Sequence, residues 1–352
     1  MALIFCDGFD HYATADFTKK GWFGTVVSGG TFIGAYGRYG TNGVVGDSGR
    51  QDSGLVKVVP NSQVWIVGGA WYLGSALAFS NYIWTFRDTT TYHISLRIDA
   101  SRRLYVYNHA TSTASGYSDL LLTIGGWYYI EVKVKIDNAN GGVWVRVNGV
   151  DQFRLGCYAV SPVGLDTLAG AGSAVANTII FGSVSGSNFE WRGDDVYMCD
   201  DSGSANNDFL GDIRVQTILP TADGGTNEWT ASAGSRYDCV NDPTLNSVTD
   251  YIQSGTTVGN KNTFAFGNVT PTSGTVKGVQ ILIGAMKDDA GSRSIAPVYG
   301  NGTPASDVDG ATVSVGDAYI YYSEIKEQDP VAAADWTISS VNAAEFGVKL
   351  TA

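Results

Sequence analysis

The sequence predicts an all-β protein of two domains, a larger sandwich followed by a smaller one. Three observations carry that prediction. Charged residues make up only 16% of the 352 positions, against about a quarter in an ordinary soluble domain. Gly reaches 45 and Tyr 19, a balance that suits pleated strands joined by tight turns. Short runs rich in Val, Ile, Thr and Tyr recur with Gly, Asn or Asp between them, the spacing of a sandwich.

The elements follow in order. Residues 2–9, "ALIFCDGF", read as the first strand. A Gly-rich stretch with short β pieces runs to about residue 46, and "QVWIVGGAWYLG" (63–74) is dense in aromatics. "YHISLRID" and "RLYVYN" both alternate and are joined by "ASR", which predicts a hairpin. The strongest pattern begins at Trp127. Tyr128, Ile130, Val132, Val134 and Ile136 fall on one face, and Tyr129, Glu131, Lys133 and Lys135 on the other. "DNANGG" turns the chain into "VWVRVNGV", where Val143, Val145 and Val147 share a face and Asn148-Gly149 makes another tight turn. "NTIIFGSV" (177–184) and "FEWRGDDVYMCDD" (189–201) supply the next strands. The texture changes near residue 215, which sets the domains at 1–215 and 216–352. In the second, "TFAFGNV", "TVKGVQILIGAMKDD", "RSIAPVYGNG" and "DAYIYYSEIKEQDP" read as strands. Residues 242–252 can hold a short helical turn, as can "VAAADWTISSVNAAEFGV" before a last strand "EFGVKL".

The formal net charge of -12 argues against a nucleic-acid partner, which calls for a basic face. The apolar start Met1–Phe5 ends at Cys6-Asp7-Gly8, short of a signal peptide, and no apolar run reaches the length of a membrane span. Membrane insertion is therefore not expected. The four cysteines (Cys6, Cys157, Cys199, Cys239) form no CxxC pair and read as reduced thiols of a cytoplasmically made protein. With three histidines at unrelated spacings (His11, His93, His109), no zinc site is expected.

The densest chemistry lies in "FEWRGDDVYMCDDSG" (189–203), with its Glu, its four Asp, a Cys and an Arg-Gly-Asp triplet. On a regular strand, Trp191, Gly193, Asp195, Tyr197 and Cys199 share one face, while Glu190, Arg192, Asp194, Val196, Met198 and Asp200 share the other. Asp194 and Asp195 then point apart and cannot form a catalytic dyad, unless a bulge intervenes. Asp200-Asp201-Ser202-Gly203 reads as a turn in which Asp caps backbone amides. Asp194, Asp200 and Asp201 are also the weak candidates for a calcium site, although the spacing is not that of an EF-hand. No cofactor other than calcium is suggested, and no catalytic residue is expected. There is no G-x-S-x-G, P-loop or dinucleotide fingerprint. His93, in a strand, and His109, in a loop, read as packed or hydrogen-bonded.

The segment "LRIDASRRLYVYN…LLLTIGGWYYIEVKVKIDNANGGVWVRVNGVD" resembles the concanavalin A-like (laminin-G-like) lectin/glucanase jelly roll. Trp127, Glu131, Val145, Asn148 and Gly149 stand where that family carries its strand-turn-strand pattern. "FCDGFD" and "FEWRGDDVYMCD" fit its first and last strands, which commonly lie side by side. The resemblance covers about residues 3–201 and implies the jelly-roll fold. It does not fix function, because the fold serves enzymes, lectins and spacers alike. The E-x-D-x-x-E strand motif of the family's bacterial glucanases is absent.

The second part resembles tail-end domains of bacteriophage virion proteins, through "FLGDIRVQTILPTADG" (209–224), "MKDDAGSRSI" (286–295) and "DPVAAADWTISSVNAAEFGVKL" (329–350). This implies a non-catalytic virion component, such as a head fibre, decoration protein or tail appendage. Its partners would be capsid, portal/adaptor or tail proteins and further copies of itself, with a homotrimer as the form implied by analogy. The alternative is a lectin-like module for a host surface glycan. Its aromatic candidates are Trp65, Trp71, Tyr72, Tyr82, Trp84 and Tyr117, set against the reading that most of them fill the core or a subunit contact.

Overall fold

A computed structural model of the chain describes residues 2–23, 31–46, 54–183, 189–244 and 249–352. The chain divides into two compact units, Met1–Val215 and Gln216–Ala352. Val184, the end of the strand expected over 177–184, and part of the Gly-rich stretch before residue 46 lie outside the described residues. So does part of the helical turn expected over 242–252.

The first unit is a two-sheet antiparallel sandwich. Its strands in chain order are β1 (Leu3–Asp7), β2 (Trp22–Phe23), β3 (Thr31–Gly34), β4 (Gly43–Gly46), β5 (Leu55–Ser62), β6 (Val64–Leu73), β7 (Asn81–Asp88), β8 (Thr91–Ile98), β9 (Leu104–Asn108), β10 (Thr113–Ser115), β11 (Trp127–Lys135), β12 (Gly142–Val147), β13 (Val150–Gly156), β14 (Ala176–Phe181) and β15 (Trp191–Cys199). One sheet runs β13-β12-β11-β6-β15-β4-β3, with β1 also paired to β15. The other runs β10-β9-β8-β7-β14-β5-β2. The first and last strands therefore lie side by side, with Cys6 opposite Tyr197. Asp7 ends β1 and fixes the chain that follows: its carboxylate accepts from the Phe9 N–H at 2.9 Å, the Tyr12 hydroxyl at 2.7 Å and the Trp22 indole N–H at 2.7 Å.

The alternation read from residues 127–147 is the alternation of the sheet. Ile130, Val132, Val134, Val143 and Val145 are fully buried between the sheets, and β11 pairs in unbroken register with both β12 and β6. Asn148 and Gly149 both take positive φ, 50° and 76°, and Val147 pairs with Val150 across them. That is the two-residue hairpin turn whose backbone suits the twist of its strands. The expected hairpin of β8 and β9 also forms, with Ile98 opposite Leu104. Aromatic rings fill the centre of the core. Trp71 stacks on Trp191 at 6.4 Å, Phe181 meets Trp191 edge-on at 5.4 Å, and Trp84 lies 4.6 Å from Phe181. The Trp65 indole N–H donates to the Ala176 carbonyl at 2.9 Å, so that its polar edge is satisfied in the interior.

The second unit is a smaller sandwich. Its larger sheet orders strands Pro220–Asn227, Lys261–Phe266, Glu345–Leu350, Arg293–Gly300 and Val308–Asp309, with Val313–Val315 also paired to Arg293–Gly300. A two-stranded sheet of Val279–Ala285 and Ile320–Lys326 completes it. Ile281, Tyr299, Trp336 and Phe346 form one core cluster, and Trp229, Ile295, Val348 and Leu350 another. The helical turn expected before the last strand is α1 (Ile338–Ala343), opened by a capping box in which Thr337 accepts from the Ser340 N–H at 3.0 Å.

Candidate functional site

The acidic stretch "WRGDDVYMC" is strand β15, but not a regular one. Its register against β6 runs from Asp194 opposite Ala70 to Tyr197 opposite Gly68, leaving an extra residue between them. Asp195 sits in this bulge with φ 51°. A bulge reverses the parity of every residue after it. Trp191 and Gly193 face the core, and beyond the bulge Val196 takes the core side against Gly69, while Tyr197, itself fully buried, moves to the outer face where its hydroxyl meets Glu131. Gly68 makes room for it, because a Cβ there would collide with the Tyr197 ring.

The bulge corrects the expectation that Asp194 and Asp195 point apart. Both carboxylates turn to the loop that carries Arg38, and both are almost fully buried. Asp194 accepts from the Arg38 N–H at 2.9 Å and from the Asp195 N–H at 2.8 Å. Asp195 accepts from the Val215 N–H at 2.7 Å and from the Arg38 guanidinium at 3.3 Å. Burial, then the neighbouring Asp195 charge, pushes Asp194 up to about 8. Burial raises Asp195 to about 6, with the Val215 N–H and Arg38 holding it back. Asp10 is likewise raised to about 6 by burial and by the charges of Asp195 and Asp7. Every oxygen of the Asp194–Asp195 pair already accepts a hydrogen bond from the protein, so its chemistry is spent inside the fold.

What the pair holds is a strap. Residues 208–215 carry no regular secondary structure and lie along the outer face of the first sheet. Asp208 pairs with Lys133 at 3.2 Å. The Phe209 ring meets Trp144 edge-on at 4.9 Å, with the Arg146 guanidinium 5.1 Å from its centroid. The Leu210 N–H donates to the Tyr197 hydroxyl at 3.2 Å, and the Gly211 N–H to Glu131 at 2.8 Å. Asp212 forms a two-point pair with Arg38 at 2.7 and 3.0 Å. Glu131, assigned by alternation to the outer face, is there, but the strap covers it completely. It also accepts from the Tyr197 hydroxyl at 2.6 Å, and burial raises its pKa.

The calcium candidates take separate positions. Asp194 is engaged as above. Asp200 accepts from the Ser202 N–H at 2.9 Å and hydroxyl at 2.6 Å, a capped turn, and Asp201 is exposed. Among the described residues, no group of three or more His, Cys, Asp or Glu is placed to share a metal ion. None of the four cysteines is in a disulfide.

The aromatic candidates divide. Trp65, Trp71 and Trp84 are fully buried core. Tyr72 lies on the outer face of the first sheet, against Trp127 at 5.4 Å and Arg192 at 4.7 Å. Tyr82 and Tyr117 belong to the outer face of the second sheet, and there the structure assembles a strip that alternation could not reveal. The Arg97 guanidinium lies between two rings, 4.2 Å from Tyr82 and 4.0 Å from Tyr107, and donates to the Tyr82 hydroxyl at 2.9 Å. Tyr107 meets His109 at 4.8 Å, His109 meets Tyr92 at 5.4 Å, and Arg87 lies 5.7 Å from Tyr92. Tyr105, opposite Arg97 in register, stacks on the half-exposed Tyr117 at 5.2 Å. Beneath the strip, the Thr85 hydroxyl donates to Ser95, and Ser95 is 2.9 Å from His109 Nε2. Burial, with the Arg97 charge beside it, lowers His109 to about 4. The imidazole is therefore neutral at pH 7. Sequence reasoning missed Arg97, Tyr107 and His109 as a group because they come together only through strand register.

Fold and site define a two-unit all-β protein whose first unit is a jelly-roll sandwich with an aromatic–arginine strip on one outer face. No family model and no curated protein matches the sequence. Among solved structures, the chain is similar to the cellulose-induced protein Cip1, at 15% identity over 55% of this chain and 96% of that one, with a TM-score of 0.39. It is similar to domain 4 of AbnA, a GH43 extracellular arabinanase from Geobacillus stearothermophilus solved with arabinotriose, at 18% identity over 56% and 92% of the two chains, with a TM-score of 0.38. Trypanosoma rangeli sialidase gives 12% identity and a TM-score of 0.34 over 48% of this chain, which spans 26% of the sialidase. Likenesses this distant carry no argument about ligand or activity, and the fold stands on the strand order and register described above.

Proposed function

We propose that the chain is a non-catalytic display protein of a tailed-phage virion, acting through assembly contacts and through glycan recognition by its first unit. The observation that supports recognition is the strip Tyr82–Arg97–Tyr107–His109. Flat aromatic and guanidinium faces beside hydroxyl and imidazole groups suit the apolar faces and hydroxyl edges of sugars. The non-catalytic reading rests on Asp194 and Asp195, whose four oxygens already accept from the N–H groups of Arg38, Asp195 and Val215 and from the Arg38 guanidinium, where a glycosidase sets two carboxyl groups on either side of one bond. The virion placement rests on the sequence resemblance of residues 209–224, 286–295 and 329–350. It makes the partners capsid, portal/adaptor or tail proteins and, by analogy, two further copies of the chain.

The test is binding of the purified full chain to an array of bacterial surface glycans, with its mass measured by light scattering in the same buffer. The expected result is a discrete set of bound glycans, lost in Tyr82→Ala, on a particle of three times the 37.3 kDa chain mass. A chain that binds no glycan on the array overturns the recognition reading. A strict monomer overturns the trimer.

A further inference from the structure

The strip is cationic, and among the described residues its two arginines have no carboxylate counter-charge. The first unit's other arginines largely sit against acids: Arg38 with Asp195 and Asp212, Arg103 with Asp99, Arg146 and Arg154 with Asp151, and Arg192 with Glu190. Arg87 and Arg97 have no carboxylate partner among the described residues. The acids nearest them in sequence are engaged elsewhere. Asp88 accepts from the Asn177 side chain at 2.7 Å, and Asp99 pairs with Arg103. Both guanidinium groups are half-buried, and each has an Nε buried without a hydrogen-bond partner. A cation part-way out of water with no anion beside it is costly. On a chain of net charge -12, such a cost borne twice on one face marks a place where an anion is to be supplied from outside. Between the two arginines run Tyr92, His109 and Tyr107 in continuous ring contact. The strip thus offers a stacking track with a positive group at each end.

We infer that the outer face of the second sheet takes an acidic glycan, with anionic groups of the sugar chain seated at Arg87 and Arg97 and its sugar rings on Tyr82, Tyr107 and Tyr117. This rests on the glycan reading and names its ligand class. A neutral His109 adds no charge of its own, so the anion preference lies with the two arginines. Arginine suits the task because its planar fork meets a carboxylate, sulfate or phosphate with two donors while its face stays on the rings.

The experiment compares polygalacturonate with its fully methyl-esterified form, two polymers of one backbone of which only the first is charged, by calorimetric titration into the full chain. The acid polymer is expected to bind, to weaken as salt is raised, and to exceed the ester by about tenfold or more. Arg87→Gln should weaken the acid polymer by about tenfold and leave the ester unchanged, whereas Arg97→Gln, which also removes a face of the strip, should weaken both but the acid polymer by about tenfold more. Tyr117→Ala should weaken both. Circular dichroism checks the fold of each variant, and Arg87→Gln serves if Arg97→Gln misfolds. Equal binding of acid and ester overturns the anion inference and leaves glycan recognition standing. Acid binding untouched by either arginine variant places the anion elsewhere and overturns it too. If neither polymer binds, and sulfate at matched ionic strength raises the melting temperature of the wild type no more than that of Arg87→Gln, the anion site is refuted independently of the glycan array.

Discussion

Alkaline pH should loosen the first unit, and Asp194→Asn should abolish that effect. In the unfolded chain an aspartate is ionised above about pH 4. In the folded chain Asp194 is pushed up to about 8 by burial and by Asp195. A group whose folded pKa is raised adds stability that is full below its unfolded pKa and is lost as pH rises through its folded pKa. For a single site held at about 8, the stability lost between about pH 6 and about pH 9 is on the order of 2–3 kcal/mol. Asp195 and Asp10, both raised to about 6, place their losses lower, so the slope above pH 7 belongs mainly to Asp194. Asn keeps the shape of the protonated acid and cannot ionise. Seven of the nine tryptophans lie in residues 1–215, so urea melts followed by tryptophan fluorescence report chiefly on this unit. The wild type should lose on the order of 2–3 kcal/mol across that window, and Asp194→Asn should stay nearly flat. A flat wild-type profile, or the same slope in both proteins, refutes the account of a buried Asp194 that keeps its proton beside Asp195.

Other outcomes follow from the same packing. Trp84→Ala empties the centre of the core and should cost about 3–5 kcal/mol in urea melts. Gly193→Val drives a side chain into the Phe181 ring, where even a Cβ collides, and should cost about 1–3 kcal/mol or prevent folding. Asp200→Ala removes the two bonds to Ser202 and should cost about 1 kcal/mol. In the wild type, calcium or EDTA should leave the melting temperature unchanged, and a clear fall with EDTA would return Asp194, Asp200 and Asp201 to consideration as a cation site.

By itself the sequence determined whatever depends on local periodicity. The alternation from Tyr128 to Ile136 placed Ile130, Val132 and Val134 in the core, because side chains on a regular strand have a period of two. Asn148-Gly149 announced its hairpin because few other residues tolerate positive φ twice in succession. The abundance of turns and the low charge declared a β-sandwich. Tertiary structure decided what depends on which strands meet. The bulge at Asp195 is a property of the pairing with β6, where the residues opposite are Gly68 and Ala70. No pattern within "WRGDDVYMC" could show that two adjacent aspartates would face one arginine. Alternation set Glu131 on the face of Lys133 and Lys135, and nothing near it in sequence betrays Gly211, eighty residues on, whose N–H it accepts. The strip of Arg97, Tyr107 and His109 needed the registers of β7, β8 and β9 to bring side chains from three strands onto one face. Periodicity fixes the face on which a residue lies. The residues it meets there are set by long-range pairing, and the chemistry of this protein is built from those meetings.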